Sequence, residues 1–358
     1  MENRKILVIN PGSTSTKIAV FENTRSIFLK IIKHSVEELR SFDKITDQLP
    51  YRKELIMKEL YSENMELSHI QIVIGCGGLI KPIESGIYAV NEKMKEDLFN
   101  GVQGEHASNL GGLIADEITH LLPNAKAYIA DPVVVDEMQD VARYTGHPLF
   151  KRKSIFHALN QKATARSYAH AINNTYEEMN LIIAHLGGGV SIGTHCKGRV
   201  VDVNQALDGE GPMSPERSGT LPAGDLIKTC FSGQYDYKTM HKMVIGEGGY
   251  VAYFGTNDAY KVELMAKNHN TGAQSIQEAL AYQVTKYIGA SAAVLRGHVD
   301  AIILTGGLAH DRIITEYISQ HVSFIGPVII YPGEDEMTAL AMNALMILNN
   351  QVVCKEYS

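Results

Sequence analysis

Twice in this sequence an apolar run of strand length enters a turn crowded with glycine or hydroxyl residues and leaves as a second apolar run. The first copy, KILVINPGSTSTKIAVF from Lys5 to Phe21, carries Ile6-Leu7-Val8-Ile9 before the turn and Ile18-Ala19-Val20-Phe21 after it. Apolar runs of this length bounded by Asn, Pro and Gly read as the two strands of a hairpin. The second copy starts at Asn180, with Leu181-Ile182-Ile183-Ala184, then His185-Leu186-Gly187-Gly188-Gly189-Val190-Ser191-Ile192-Gly193, then a strand holding Arg199-Val200-Val201-Asp202. The recurrence, about half a chain apart, is a duplication of pattern rather than of letters. It predicts two similar α/β domains facing each other, each offering a glycine-rich hairpin to a shared cleft.

The content of the first turn is a chemical signal. Gly12 can take a positive φ, which lets the backbone bend sharply and present its N–H groups. Ser13, Thr14, Ser15 and Thr16 then supply four hydroxyls, and Lys17 a cation. Small donors ending in one positive charge suit phosphate oxygens and Mg²⁺; the alternative is a plain Ser/Thr-rich turn. It is not a Walker A loop, because Thr16-Lys17-Ile18 stands where Gly-Lys-Ser/Thr would be needed.

Composition narrows the function classes. With 358 residues, 45% of them hydrophobic, and 31 glycines, the chain has the length of roughly two domains and ample core. A formal charge of −7 argues against a nucleic-acid surface. No cationic start leads into a long apolar region, so no secretory signal is expected. The longest apolar runs, such as Ala301-Ile302-Ile303-Leu304, fall far below the ~20 residues of a membrane span. Cys76, Cys196, Cys230 and Cys354 have no paired spacing and read as free thiols of a reducing cytoplasm.

Along the chain, Ser26–Ile32 reads as a third strand and Asp43–Met65 as surface helices. Ile70–Ile74 is a buried strand running into Gly75-Cys76-Gly77-Gly78, and strand ends of this kind present ligands in α/β sheets. A helix is expected over Leu113–Leu122 and a strand over Ala127–Ala130. The latter ends at Asp131, a metal-binding or catalytic position or else an N-cap. The run Lys151–His157 reads as a solvated basic face, with His157 a cap or a packed core residue before a helix over Asn160–Asn173. The segment Asp208–Pro222, carrying Arg217, is a long turn-rich loop of the functional kind. Helices are expected over Gly224–Val244 and Thr271–Arg296, and the tyrosines between Tyr235 and Tyr260 as packing. A strand over Val299–Thr305 then steps into Gly306-Gly307, small residues that let a flat base and its ribose approach backbone. Strand Pro327–Tyr331 and a helix over Met337–Leu348 close the chain.

Together these segments resemble the acetate kinase/butyrate kinase family of the sugar kinase–Hsp70–actin superfold, over almost the full chain. VINPGSTSTK is similar to the family's first phosphate motif, HLGGGVSIG to the second, and LTGGLAH to its adenosine motif. GEHASN, DPVVVDEM, SIFHALNQKA and PERSGTLP are closer to the butyrate kinase branch. The resemblance implies two duplicated ribonuclease H-like, actin- or sugar-kinase-like domains around an ATP cleft. The first would span 1–152, completed by the helix 337–358, and the second 153–336. It implies a cytoplasmic homo-oligomer that reversibly phosphorylates the carboxylate of a short-chain fatty acid, butyrate, at the expense of ATP. Acetate, propionate or a branched acid are alternatives within that chemistry, and a non-enzymatic nucleotide switch is the alternative outside it. Neither nucleic acid nor membrane is an expected partner.

By the same resemblance Asn10, Ser13, Ser15 and Lys17 hold phosphate, and Asn10, Asp131 and Glu336 hold Mg²⁺. Asp131, His157 and Arg217 serve catalysis. His185, Gly187, Gly188, Gly189, Gly306 and Gly307 bind ATP/ADP. Cys76, Gly77 and His106 sit at the acyl site. Cys76 departs from the family, which has an arginine there for the substrate carboxylate. A thiol cannot make that bidentate contact, so either Lys81 or Arg217 takes the role or affinity for the acid is weak. A carboxylate is ionised at pH 7 and needs no general base. The transferring phosphoryl group needs charge neutralisation and alignment, expected from Mg²⁺, Arg217 and a protonated His157.

Overall fold

A computed structural model describes residues 4–358; residues 1–3, counted in the first domain above, lie outside it. The chain forms two compact units, one running up to Val135 and including Asp335–Ser358, the other Asp136–Glu334. Each is built on one mixed sheet. In the first unit the strands are β1 (Lys5–Pro11), β2 (Ser15–Glu22), β3 (Arg25–Lys33), β4 (Ile70–Cys76), β5 (Ile87–Ala89) and β6 (Lys126–Ala130). In the second they are β7 (Asn180–Leu186), β8 (Val190–Cys196), β9 (Arg199–Val203), β10 (Ala301–Gly306) and β11 (Val328–Pro332).

The strand orders are β3-β2-β1-β4-β6-β5 and, read from its β9 edge, β9-β8-β7-β10-β11. β1 pairs antiparallel with β2 and β2 with β3, while β1–β4 and β4–β6 are parallel. The second sheet repeats this: β7–β8 and β8–β9 are antiparallel, β7–β10 and β10–β11 parallel. Only β5, an antiparallel edge strand on β6, has no counterpart. The duplication expected from the repeated hairpins, and the ribonuclease H-like architecture implied by the resemblance, are therefore present at the level of topology.

The central strands are apolar because both faces are covered. Leu181, Ile182, Ile183 and Ala184 of β7 and Ile302, Ile303 and Leu304 of β10 are fully buried. The helix Thr271–Val294, capped by the Asn270 side chain, buries Leu280, Val284 and Ile288 at helical spacing. In the first unit the helix Asn109–Thr119 approaches β4 so closely that a Cβ on Gly75 would meet the Gly111 carbonyl. Glycine is required at that crossing. The helix Glu336–Leu348, N-capped by Asp335 through the Thr338 amide, packs on β1 and β4.

Several local expectations are corrected. The helix expected from Leu113 begins at Asn109, whereas the helices expected over 224–244 are present as Ala223–Cys230 and Tyr237–Val244. The basic run before His157 is not a plain solvated face, because Arg152 is half-buried and paired with Asp202 at 2.8 Å and Glu210 at 2.7 Å. Of the five tyrosines between Tyr235 and Tyr260, Tyr250 is buried; Tyr235, Tyr237, Tyr253 and Tyr260 are exposed.

Candidate active site

Parallel pairing brings three distant candidates of the first unit to one sheet edge. Ile9 is level with Gly75 and Cys76 with Ala130, so Asn10, Cys76 and Asp131 stand at the carboxyl ends of β1, β4 and β6. Asn10 pairs across the hairpin with Lys17. Its Nδ2 donates to Glu336 Oε2 at 2.5 Å, joining a residue at the start of the chain to one at its end. Asp131 is buried and accepts from the Ser85 hydroxyl at 2.6 Å and the Gly86 amide at 2.9 Å. Its φ of +39° is a left-handed value for a non-glycine residue, of the kind that clusters at functional sites. No helix starts after it, so the N-cap alternative does not hold.

Arg52, which the motifs did not single out, organises the turn of this hairpin. It is 1% exposed. Its guanidinium donates to the carbonyls of Gly12 (2.8 Å), Ser13 (3.3 Å) and Ser15 (3.2 Å) and to Thr16 Oγ1 (3.1 Å). Gln48 Oε1 holds it from behind at 3.0 and 2.8 Å. The turn carbonyls are thereby occupied inward, while Ser13 and Thr14 remain exposed. Gln48 and Arg52 are one helical turn apart, but nothing in the sequence assigns that pair to the turn.

At the expected acyl positions, Cys76 Sγ lies 3.9 Å from the Ser108 carbonyl. Burial, with the Glu336 carboxylate nearby, pushes its thiol well above the ordinary range, so it is neutral. Gly77 backs onto Pro132, with no room for a Cβ. His106 is exposed, its Nδ1 2.8 Å from the Ser108 hydroxyl. Lys81, one of the two cations expected as alternative partners of the substrate carboxylate, is paired with Asp97 at 3.0 Å.

The second unit gathers a tighter cluster. His157 and His185 stack with ring centroids 3.7 Å apart and planes 11° from parallel. Gly189 lies against both His157 and Arg217: a Cβ there would fall on Arg217 Nη1 and 3.2 Å from His157 Cε1. The turn of the hairpin, closed by Gly187 N donating to the Gly189 carbonyl, is tied to the 208–222 loop. Ser214 Oγ donates to the Gly188 carbonyl at 2.6 Å and accepts from the Arg217 amide at 3.1 Å. Arg217 Nη1 donates to the Ala206 carbonyl at 2.5 Å, while its buried Nε has no partner among the described residues. A buried cationic donor left unpaired is costly unless an anion completes it. Gly306 ends β10 and Gly307 follows it, beside the level where Thr305 pairs with His185. Gly306 has a φ of +89° and packs on Leu186 backbone, so the two glycine motifs of this unit share one sheet edge.

The expected protonation of His157 is corrected. Burial, the neighbouring His185 and the Arg217 charge lower its pKa well below the usual histidine value, so the imidazole is neutral at pH 7. Burial and Arg217 lower His185 to about 3. Its Nδ1 is 2.8 Å from Asn160 Oδ1 and its Nε2 3.4 Å from Glu334. Nor does the His157 side chain cap the helix Ala158–Ala171 that follows it.

The sequence pattern of the acetokinase family matches residues 141–346. Butyrate kinase 2 of Clostridium acetobutylicum is 54% identical over 353 residues, 99% of this chain and 99% of that one. The chain belongs to the acetokinase family. Its fold is that of the acetate kinase of Porphyromonas gingivalis, with a TM-score of 0.80 at 18% identity, covering 96% of this chain and 100% of that one. A propionate kinase from Francisella tularensis gives 0.74 at 17% identity, over 95% and 98%. As an acetokinase-family member the chain is a kinase, a phosphotransferase with a carboxyl group as acceptor, and kinases of this family use ATP and ADP. The non-enzymatic switch alternative falls with that membership.

Among the described residues no helix is long and apolar enough to cross a membrane, and no group of three or more His, Cys, Asp or Glu side chains forms a metal cluster. Mg²⁺ keeps several waters and takes one or two carboxylates together with phosphate oxygens. The hard oxygen donors Asn10, Glu336 and Asp131 fit such an ion.

Proposed function

We propose that this acetokinase-family kinase acts on butyrate, transferring the γ-phosphoryl group of ATP to its carboxylate and back. The observation that carries this reading is the 54% identity, over 99% of both chains, to Butyrate kinase 2 of Clostridium acetobutylicum. The nucleophile is already ionised, so the protein has no proton to remove; its task is to hold two anions in line and spread the charge of the phosphoryl group. Arg217, with its unpaired Nε, supplies the positive charge, and His157 supplies a neutral N–H donor rather than a cation. Gly187, Gly188 and Gly189, with His185, take the nucleotide phosphates, and Gly306-Gly307 admits the adenosine.

On the first unit, Asn10, Ser13, Ser15 and Lys17 bind phosphate. Asn10, Asp131 and Glu336 hold Mg²⁺, which when bound neutralises phosphate charge. Cys76, Gly77 and His106 contact the acyl chain. The protein works in the cytoplasm as a homo-oligomer on the free acid, without nucleic acid or membrane; its net charge of −7 disfavours a nucleic-acid partner.

The test is a hydroxylamine-trapped assay of acyl phosphate formation with unbranched acids of two to five carbons and with isobutyrate. The highest kcat/KM is expected with butyrate. One methylene in an apolar pocket is worth about 1–3 kcal/mol, so neighbouring acids should retain measurable turnover. A higher kcat/KM with acetate or isobutyrate would reassign the substrate.

A further inference from the structure

Behind His157 the second unit contains a continuous buried chain of hydrogen bonds that the reaction chemistry does not call for. Tyr176 OH lies 2.7 Å from His195 Nδ1, His195 Nε2 lies 2.9 Å from Gln161 Oε1, and Gln161 Nε2 lies 2.9 Å from Ser191 Oγ. Ser191 Oγ in turn lies 2.9 Å from His157 Nδ1. Ser191, Gln161 and His195 are 0% exposed. We infer that this chain is a positioning relay that holds His157 as the tautomer with its proton on Nε2.

The directions of these bonds follow from one carbonyl, the neutral state of His195 and the acceptors open to Ser191. Gln161 Nε2 lies 3.1 Å from the Ser191 backbone oxygen, which can only accept, so the amide nitrogen faces Ser191 and the amide oxygen faces His195. His195 Nε2 must then carry a proton. Burial and Lys162 keep His195 neutral, so its Nδ1 accepts from Tyr176. At the other end Ser191 Oγ accepts from the Gln161 amide and, at 3.5 Å, from the His157 backbone N–H. The serine hydroxyl proton has one acceptor among the described residues, His157 Nδ1. An imidazole that accepts at Nδ1 and is neutral carries its proton on Nε2. The local sequence enforces the arrangement: a Cβ at position 193 would fall on Gln161 Oε1, so glycine there leaves space for the amide.

The consequence rests on the reading of His157 as a group that contacts the phosphoryl oxygens. A neutral His157 can then act as a hydrogen-bond donor through Nε2 in every molecule, instead of presenting a lone pair to an anion in a fraction of them. Ser191 and Gln161 touch no substrate in this account; they act through the ring.

Histidine ¹⁵N–¹H correlation spectra of the full-length protein at pH 7.5, with the His157 signals assigned by their loss in His157→Gln, test the relay without relying on activity. The expected result is a proton on Nε2 and none on Nδ1; a proton on Nδ1, or a mixture, overturns the inference. Ser191→Ala is expected to turn the single tautomer into a mixture and to lower kcat about tenfold, leaving KM for ATP within about threefold. A pure Nε2–H tautomer persisting in Ser191→Ala would also overturn it. If the tautomer shifts but kcat does not, the relay stands and the assignment of His157 to the phosphoryl group falls. The wild-type spectrum decides the first question even if the variant does not fold.

Discussion

Gly189 and Arg217 are in such close contact that the guanidinium occupies the place where a side chain at position 189 would begin. The arginine loop and the glycine-rich hairpin are further joined by Ser214, which bonds both the Gly188 carbonyl and the Arg217 amide. The loop therefore sets where the cation stands relative to the turn.

If Arg217 neutralises the transferring phosphoryl group, Arg217→Ala should lower kcat by about 10²–10³-fold, the typical cost of losing one preorganised donor. Circular dichroism and the thermal midpoint should stay close to wild type. Arg217→Lys should recover little, because an ammonium lacks the fork geometry. Near-normal kcat in Arg217→Ala would remove this residue from the mechanism. Gly189→Ala should reproduce part of the loss by displacing the guanidinium.

The buried imidazoles make stability pH-dependent. His34, His157, His185 and His195 all have pKa values lowered in the folded state from 6.5, chiefly by burial. The unfolded chain therefore binds more protons than the folded one below that value. Their contribution to stability is fully present above about pH 6.5 and is lost as pH falls below it towards the folded values, about 3 for His185. The urea midpoint should thus decline between pH 7 and pH 5. A midpoint that rose over that interval would contradict the neutral, buried state assigned to these rings.

Arg52→Met keeps the volume of a long side chain and removes the donors. The carbonyls of Gly12, Ser13 and Ser15 would lose their shared partner, and we expect a loss of at least about 2 kcal/mol in urea unfolding. KM for ATP should rise more than in Arg4→Met, a substitution outside the turn. Unchanged stability would mean that the turn is held by the strands alone.

The thiols should separate by rate. Cys230 and Cys354 are exposed, whereas Cys76 is held as a neutral thiol by burial and the Glu336 charge. With a thiol reagent at pH 8, the first two should react rapidly and Cys76 slowly, since the thiolate is the nucleophile. Cys76→Arg, which places a guanidinium at the proposed acyl site, should lower KM for butyrate if the guanidinium reaches the acid. An unchanged KM would leave Cys76 with a packing role.

Much of this molecule follows from local pattern. The two hairpins, the parallel strands after them and the glycine steps at strand ends are set by alternation of apolar and turn-forming residues over a few positions. The sequence of Lys5–Phe21 and Asn180–Gly193 therefore determined the duplicated architecture. Bonds between residues far apart in the chain were decided only by tertiary structure. Arg52 belongs under a turn 40 residues away, and Gln161 relates Ser191 to His195. The charge of His157 was of the same kind: its residue type allows either state, and what fixes it is the water excluded around it and the Arg217 guanidinium beside it. Periodicity records which face of an element is apolar; it holds no record of which buried polar groups will meet.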